Sequence, residues 1–324
     1  MGNCSEGLVS VSAARKKRSF GLVDFVRRLT REKPLGTVGA VITLVLLFTG
    51  IFADFLAPYG MNEIHRGHFM DPPSSRFWLG TDNLGRDLLS RVIFGARTSV
   101  IIGLSAAALA VSISIVIGVL AGYSRGKFDL IIQRFVDGWM CFPTLILLMV
   151  LISVIGPGML QVIIVMGVGY GITGSRVIRG ATLIVKENMY IQAAEVIGCT
   201  TSRILIRHIL PNVMAPIIIL FTTRVPFMII VEASLSFLGY GIPPPAASWG
   251  GMLSGSGRAY MFQAPWMVIW PGLALSIVVY GVNMFGDAVR DLLDPRMRGG
   301  IGRYGVNVKR EDLIEHPRVA EPAS

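Results

Sequence analysis

The chain has 324 residues, of which 52% are hydrophobic and only 15% charged, with a mean hydropathy of +0.62. A soluble globular domain carries about a quarter of its residues as charge, so this composition excludes that class and indicates an integral membrane protein. The net charge of +10 does not indicate nucleic acid, because no polar folded segment gathers the bases onto one face.

Residues 1–34 form a basic segment with Arg15, Lys16, Lys17, Arg18, Arg27, Arg28, Arg31 and Lys33. Gly2 and Cys4 suggest lipidation, but Glu6 stands where the myristoylation pattern requires Ser or Thr, so an unmodified start is expected. A cleaved signal peptide is not expected either. The first apolar run begins only at Leu35, is too long for an h-region and lacks a small-x-small exit. Cys4, Cys141 and Cys199 are far apart without metal-ligand spacing and read as free thiols.

Six apolar runs are predicted as spans: residues 35–57, 98–122, 135–155, 159–181, 213–231 and 267–289. Each has about 20 residues, enough to cross a hydrocarbon core at 1.5 Å rise per residue. Gly156-Pro157-Gly158 stops one helix and restarts the next, so the third and fourth spans make a tight hairpin. The basic N-terminal segment is predicted to be cytoplasmic by the positive-inside rule. Six crossings return the tail, residues 290–324 with Arg290, Arg296, Arg298, Arg303, Lys309 and Arg310, to the same side. The loop after the second span, with Arg125, Lys127 and Arg134, agrees. Residues 58–97 are then external, with an interfacial helix, and their arginines are roughly offset by Glu63, Asp71, Asp82 and Asp87. Residues 182–212 fall in the cytoplasm, inside a core domain of residues 98–289.

The apolar middle of the spans holds one ionisable residue, Arg224, while Asp54, Asp137 and Glu232, like Arg176, Arg179 and Asp287, sit nearer span ends. A proton- or sodium-driven carrier normally shows intramembrane carboxylates or histidines, or unwound ion-binding helices. A self-powered pump needs a phosphate-binding loop, but Gly126-Lys127 is followed by Phe128 and lacks the required spacing. No His-Glu-x-x-His pattern is present, and Gly122-Tyr123-Ser124-Arg125-Gly126, which matches Gly-x-Ser-x-Gly by letter, closes an apolar run instead of following a strand, so neither pattern marks an enzyme. Energy therefore comes from elsewhere, and the polar stretch Tyr190 to Asn212 is the candidate socket for it. Gln192, Ala193, Ala194 and Glu195 favour a short helix that Gly198 ends. Thr200, Thr201 or Ser202 caps a second helix, and Pro211 falls where the next span begins. Two small alanines let another protein approach the backbone closely. The bland reading is an amphipathic loop at the lipid surface, with Arg203 and Arg207 near anionic headgroups.

Gln192-Ala193-Ala194, then Gly198, then Leu210-Pro211, resembles the Glu-Ala-Ala loop of ABC importer permeases, which docks into a cleft on the ATPase subunit. Gln192 stands where that pattern has Glu, and His208 where it often has Ile. Gly80-Thr81-Asp82, Gly85-Arg86-Asp87, Ser90-Arg91 and Gly95-x-Arg97-x-Ser99 are similar to the signature before the second span of the C-type subunit of dipeptide/oligopeptide and nickel importers. So are Glu232-Ala233, Leu235 to Gly239 and Ser248-Trp249-Gly250 before the last span. Asn283, Gly286-Asp287, Arg290-Asp291 and Leu293-Asp294-Pro295-Arg296 resemble its closing motif. The resemblance implies an all-α, six-span type I importer fold in a bacterial inner membrane, in contact with lipid. It implies a B-type permease partner, two ATPase subunits that bind the ATP, an extracytoplasmic binding protein, and a peptide or related solute as cargo. The permease itself is then neither an enzyme nor a cofactor binder, and alternating access follows as the ATPases close on the Gln192–Pro211 stretch. The alternative is a secondary carrier or channel independent of ATPases. Arg224 and Glu232 are candidates for the translocation path, and Arg224 alternatively braces two helices, since mid-span arginine needs partners. Residues 80–91 are read as caps and staples of scaffold, and Gly167, Gly169, Gly171 and Gly174 as helix packing.

Overall fold

The computed structural model describes residues 22–293, with side chains from Val26 onward. The Arg15–Arg18 cluster and the tail from Asp294, including Pro295 and Arg296 of the closing motif, lie outside the described residues. Among those described the chain is helical, and the one bridge between extended segments joins Thr81 to Asp87.

Helix α1 (Leu22–Glu32) is followed directly by α2 (Pro34–Ile51), whose first-turn proline lacks an N–H that a helix start does not need. After the short α3 (Ala53–Leu56) the chain runs without helix to Asp87, folding around buried Phe77, whose ring is contacted by Tyr59, His65 and His68 at 5.6, 5.1 and 5.4 Å. Asp87 caps α4 (Leu88–Ser124), its Oδ2 accepting from Ser90 N at 2.8 Å and Ser90 Oγ at 2.7 Å. The interfacial helix expected within residues 58–97 is therefore not a separate element. It is the first part of α4, because no proline or other breaker separates it from the span that follows. At 37 residues, α4 is about 55 Å long, well beyond a hydrocarbon core of about 30 Å, so one end stands outside the apolar layer.

The predicted third span departs further. Residues 126–155 form α5 (Gly126–Met140) and α6 (Thr144–Ile155), bent by 89°. Pro143 immediately precedes α6 and disfavours helical backbone at Phe142, so the apolar run of 135–155 cannot continue as one rod. With 12 residues, α6 alone reaches only about 18 Å. Gly156 and Gly158 then turn the chain into α7 (Met159–Lys186). The remaining elements are α8 (Met189–Val196), α9 (Thr201–Ile204), a π-helical turn (Leu205–Ile209), α10 (Leu210–Asn212), α11 (Met214–Phe237), α12 (Trp249–Leu253), α13 (Gly255–Ala259) and α14 (Trp266–Leu293). Five helices, α2, α4, α7, α11 and α14, are long and apolar enough to cross a membrane, and the bent α5–α6 pair makes a sixth span if counted as one.

Helix α7 is the most enclosed of these and packs most extensively on α4. The glycines explain how: a Cβ at Gly171 would lie 2.7 Å from Ile113 Cβ, and one at Gly118 2.6 Å from the Ser175 carbonyl. Ser114 Oγ donates to the Gly171 carbonyl at 2.8 Å across the seam. Helix α2 packs on α14, where a Cβ at Gly39 would lie 2.5 Å from the Gly281 carbonyl, and Lys33 pairs with Asp291 at 2.6 Å. The segment between α11 and α14 folds back over the bundle end. Trp249 Nε1 donates to the Val92 carbonyl at 3.0 Å, and Trp266 Nε1 to the Thr81 carbonyl at 3.2 Å.

Candidate functional site

The stretch Gln192 to Pro211 folds as a compact knob between α7 and α11. Ile191 and Ala194, three residues apart on α8, turn inward and join Ile204, Ile209 and Val213 in one apolar cluster. Gly198 ends the helix with φ +83°, its N–H donating to the Glu195 carbonyl at 3.0 Å while Cys199 N donates to the Ala194 carbonyl at 3.0 Å. That left-handed backbone is what glycine supplies at a helix end. A Cβ there would meet nothing within 4 Å, so the dihedral angle alone demands glycine. Thr200 has the extended backbone of a cap, without a side-chain hydrogen bond.

Pro211 has no N–H to give a helix interior. Here the chain widens into a π turn one residue before α10, with Leu210 N donating to the Leu205 carbonyl, and the proline enters at the first turn of α10. One polar contact ties the knob to α4, and two more tie the ends of α4 and α7 to each other beneath it. Tyr123 Oη donates to Glu195 Oε1 at 3.1 Å, Lys186 Nζ donates to the Tyr123 carbonyl at 2.6 Å, and Arg125 pairs with Glu187 at 2.9 Å. The knob is thus joined to the end of α4 by Glu195 and to the bundle by the apolar cluster beneath α8.

One sequence reading needs correction. Ala193 is exposed, but Ala194 is only 8% exposed and packs inside the knob, so the two alanines do not form one approach surface. The outward face is instead apolar at Met189, Val196 and Ile197, which are 86%, 87% and 82% exposed, beside exposed Gln192 and Glu195.

The two path candidates also separate. Glu232 is 1% exposed in the chain alone, so its side chain faces the interior. Its Oε1 accepts from Ser236 Oγ at 2.7 Å, while among the described residues Oε2 has no hydrogen-bond partner. The returning segment covers it, with Gly250 packed against the backbone of Ala233. Arg224, midway along α11, is only partly buried, and its guanidinium lies 5.5 Å from the Tyr170 ring centre on α7 and 5.8 Å from that of Phe227. Those ring faces attract the cation but accept few of its five N–H donors, and among the described residues it has no hydrogen bond or ion pair.

A family model described as the binding-protein-dependent transport system inner membrane component matches residues 114–299, more than half of the chain, and one described as the N-terminal TM domain of oligopeptide transport permease C matches residues 22–73. The chain belongs to this permease family. It is 36% identical over 282 residues to the oligopeptide transport system permease protein OppC of Bacillus subtilis, covering 87% of this chain and 92% of that one. The glutathione transport system permease protein GsiD of Pectobacterium atrosepticum is 36% identical, covering 85% and 91%. The di/tripeptide transport system permease protein DppC of Pseudomonas aeruginosa is 37% identical, covering 80% and 88%. Among solved structures, an inward-facing MetNI methionine ABC transporter chain superposes with a TM-score of 0.52 at 18% identity, covering 63% of this chain and 96% of that one, which supports the fold.

In this permease the sequence reading missed the exposed apolar tip of the knob. The signal was present: Met189, Val196 and Ile197 are apolar residues in an otherwise polar stretch, while Ile191 and Ala194 take the inward positions. The membrane half of the site was less accessible to sequence reasoning, because the cover over Glu232 comes from residues 241–250, far along the chain.

Proposed function

We propose that the permease is the C-type subunit of an ATP-driven importer carrying short peptides or a related solute, assembled with a B-type permease, two ATPase subunits and an extracytoplasmic binding protein. The observation that carries this reading is the knob, which presents an exposed apolar tip on a base packed against the bundle and tied to α4 through Tyr123 and Glu195. The chain has no phosphate-binding loop of its own, so the tip is where ATPases would deliver force. In this arrangement the knob and the ends of α4 and α7 face the cytoplasm, ATP is held by the partners, and the returning segment around Trp249 faces the binding protein. The peptide cargo follows from the names of the relatives. The permease is expected to co-purify with two copies of an ATPase and to take up solute only while ATP is hydrolysed. Uptake by the chain alone, driven by an ion gradient, would establish the secondary carrier instead.

Arg224 is proposed to line the translocation path. A brace would spend its donors on a neighbour, whereas this guanidinium is positioned by rings and, among the described residues, keeps its donors unused. Arg224→Leu is expected to leave assembly intact and to lower uptake about tenfold, the equivalent of one hydrogen bond to a charged group. Loss of the assembled complex in detergent would show that the residue braces helices.

A further inference from the structure

A cavity of about 380 Å³ opens where the start of α4, the end of α11 and residues 241–256 meet. Its wall carries two arginines, Arg86 and Arg91, and a single carboxylate, Asp82. Both arginines turn to the same oxygen: Asp82 Oδ2 lies 2.6 Å from Arg86 Nε and 3.7 Å from Arg91 Nε. The other oxygen, Oδ1, is used by the backbone, accepting from Leu84 N at 2.8 Å and Arg86 N at 2.9 Å. Arg91 Nη1 finds only neutral acceptors, the Met61 carbonyl and Asn62 Oδ1, both at 3.3 Å. Among the described residues Arg86 uses Nε alone, leaving its terminal nitrogens without partners. Asp87, the next carboxylate along the chain, is not in the wall, and its Oδ2 is occupied by Ser90.

Scaffold duty accounts for the aspartates, which form a turn and a helix cap, and for Arg86 Nε and Arg91 Nη1, but not for the placing of two guanidinium groups on one carboxylate. Two guanidinium groups sharing one carboxylate leave an excess positive charge at a cavity wall, and both side chains are largely withdrawn from water. In so desiccated a place a charge-assisted hydrogen bond is strong and an unmatched charge is costly. The wall also holds Ser236 and Ser254, whose hydroxyls donate to Glu232 and to the Gly251 carbonyl, together with Ser256, and Ile242 and Met252 supply apolar surface. The cavity falls within the size range of small-molecule sites, mostly apolar with a few convergent polar groups.

We propose that this cavity binds a small carboxylate-bearing solute, whose carboxylate completes the set between Arg86 and Arg91 and whose aliphatic part lies against Ile242 and Met252. The chemistry rests on the cavity itself. Only its role, as a station for solute arriving from outside, rests on the importer reading above.

The test uses the assembled importer in intact cells, with Cys4, Cys141 and Cys199 replaced by Ser and Ser256→Cys placed in the cavity wall. Two impermeant thiol reagents are compared, anionic sulfonatoethyl methanethiosulfonate and cationic trimethylammonioethyl methanethiosulfonate, each rate normalised to that with free mercaptoethanol. The anionic reagent is expected to react about tenfold faster, as a focused positive field raises local anion concentration. Arg86→Gln should remove the preference and Arg86→Lys keep it. At matched ionic strength propionate should slow the reaction, and propionamide should not. Equal normalised rates, a preference that survives Arg86→Gln, or no selective protection by propionate would overturn the proposal. Failure of the importer reading looks different: ATP-dependent uptake would be absent while the charge preference persisted. A reversed orientation would move the same labelling to inside-out vesicles.

Discussion

Ala194→Glu is expected to abolish uptake, lowering it at least about a hundredfold, while the spans still insert. The side chain of Ala194 is 8% exposed and packs with Ile191, Ile204 and Ile209, each no more than 1% exposed. A carboxylate placed there enters an apolar cluster, and burying an unpaired charge costs several kcal/mol or forces the site open. The eight-residue α8 is too short to persist without tertiary packing, so the knob should open while α4, α7 and α11 keep theirs. Faster hydrogen exchange confined to residues 189–210, together with lost uptake and lost ATPases on purification, would check this. Gly198→Val should act more mildly. Its Cβ has open space, and its only penalty is the left-handed backbone, about 1–2 kcal/mol for an ordinary side chain and more for a β-branched one. Normal uptake by Ala194→Glu would mean that the inward packing of α8 is irrelevant to transport.

The contrast between these two positions shows what the sequence makes legible. Gly198 is readable because a chemical property, freedom at positive φ, is written in the residue itself. Ala193 and Ala194 are chemically identical, and only position relative to Ile191 separates the exposed one from the buried one. Helical spacing carries that distinction weakly in an eight-residue helix. Hydropathy marks apolar runs well, and α2, α4, α7, α11 and α14 all fall on predicted spans. It is blind to direction, so residues 135–155 looked like one rod although Pro143 begins a new helix at 89° to the last. The same blindness hid the arginine pair at the start of α4. Asp82, Arg86 and Arg91 are near neighbours in sequence with the spacing of a staple, and only the return of residues 241–256 turns them into the wall of a cavity.

Ile197→Asp is expected to uncouple the importer without harming the permease. Ile197 is 82% exposed, and its neighbours at the tip, Met189 and Val196, are 86% and 87% exposed, so none supports the fold of the isolated chain. A surface substitution of this kind changes stability by less than about 0.5 kcal/mol, and the melting temperature of the permease alone should not move. Docked against an ATPase cleft, the same side chain would bury its apolar area, worth about 1.5–3 kcal/mol for an isoleucine. An aspartate would forfeit that and add the desolvation of a charge, so ATPase affinity should fall on the order of a hundredfold or more. ATP-driven uptake should fall with it, and the loss should be partly reversed by raising the ATPase concentration in reconstituted membranes. Ala194→Glu should not be rescued in that way, because its knob no longer has the docking shape. A loop lying on lipid gives another pattern. There Arg203 and Arg207 would hold the stretch to anionic headgroups, Ile197→Asp would change only that contact, and ATPase retention and uptake would both stay at the level of the unaltered chain. Affinity for the ATPase, measured with Ile197→Asp in an otherwise stable permease, therefore decides whether this apolar tip is a coupling surface.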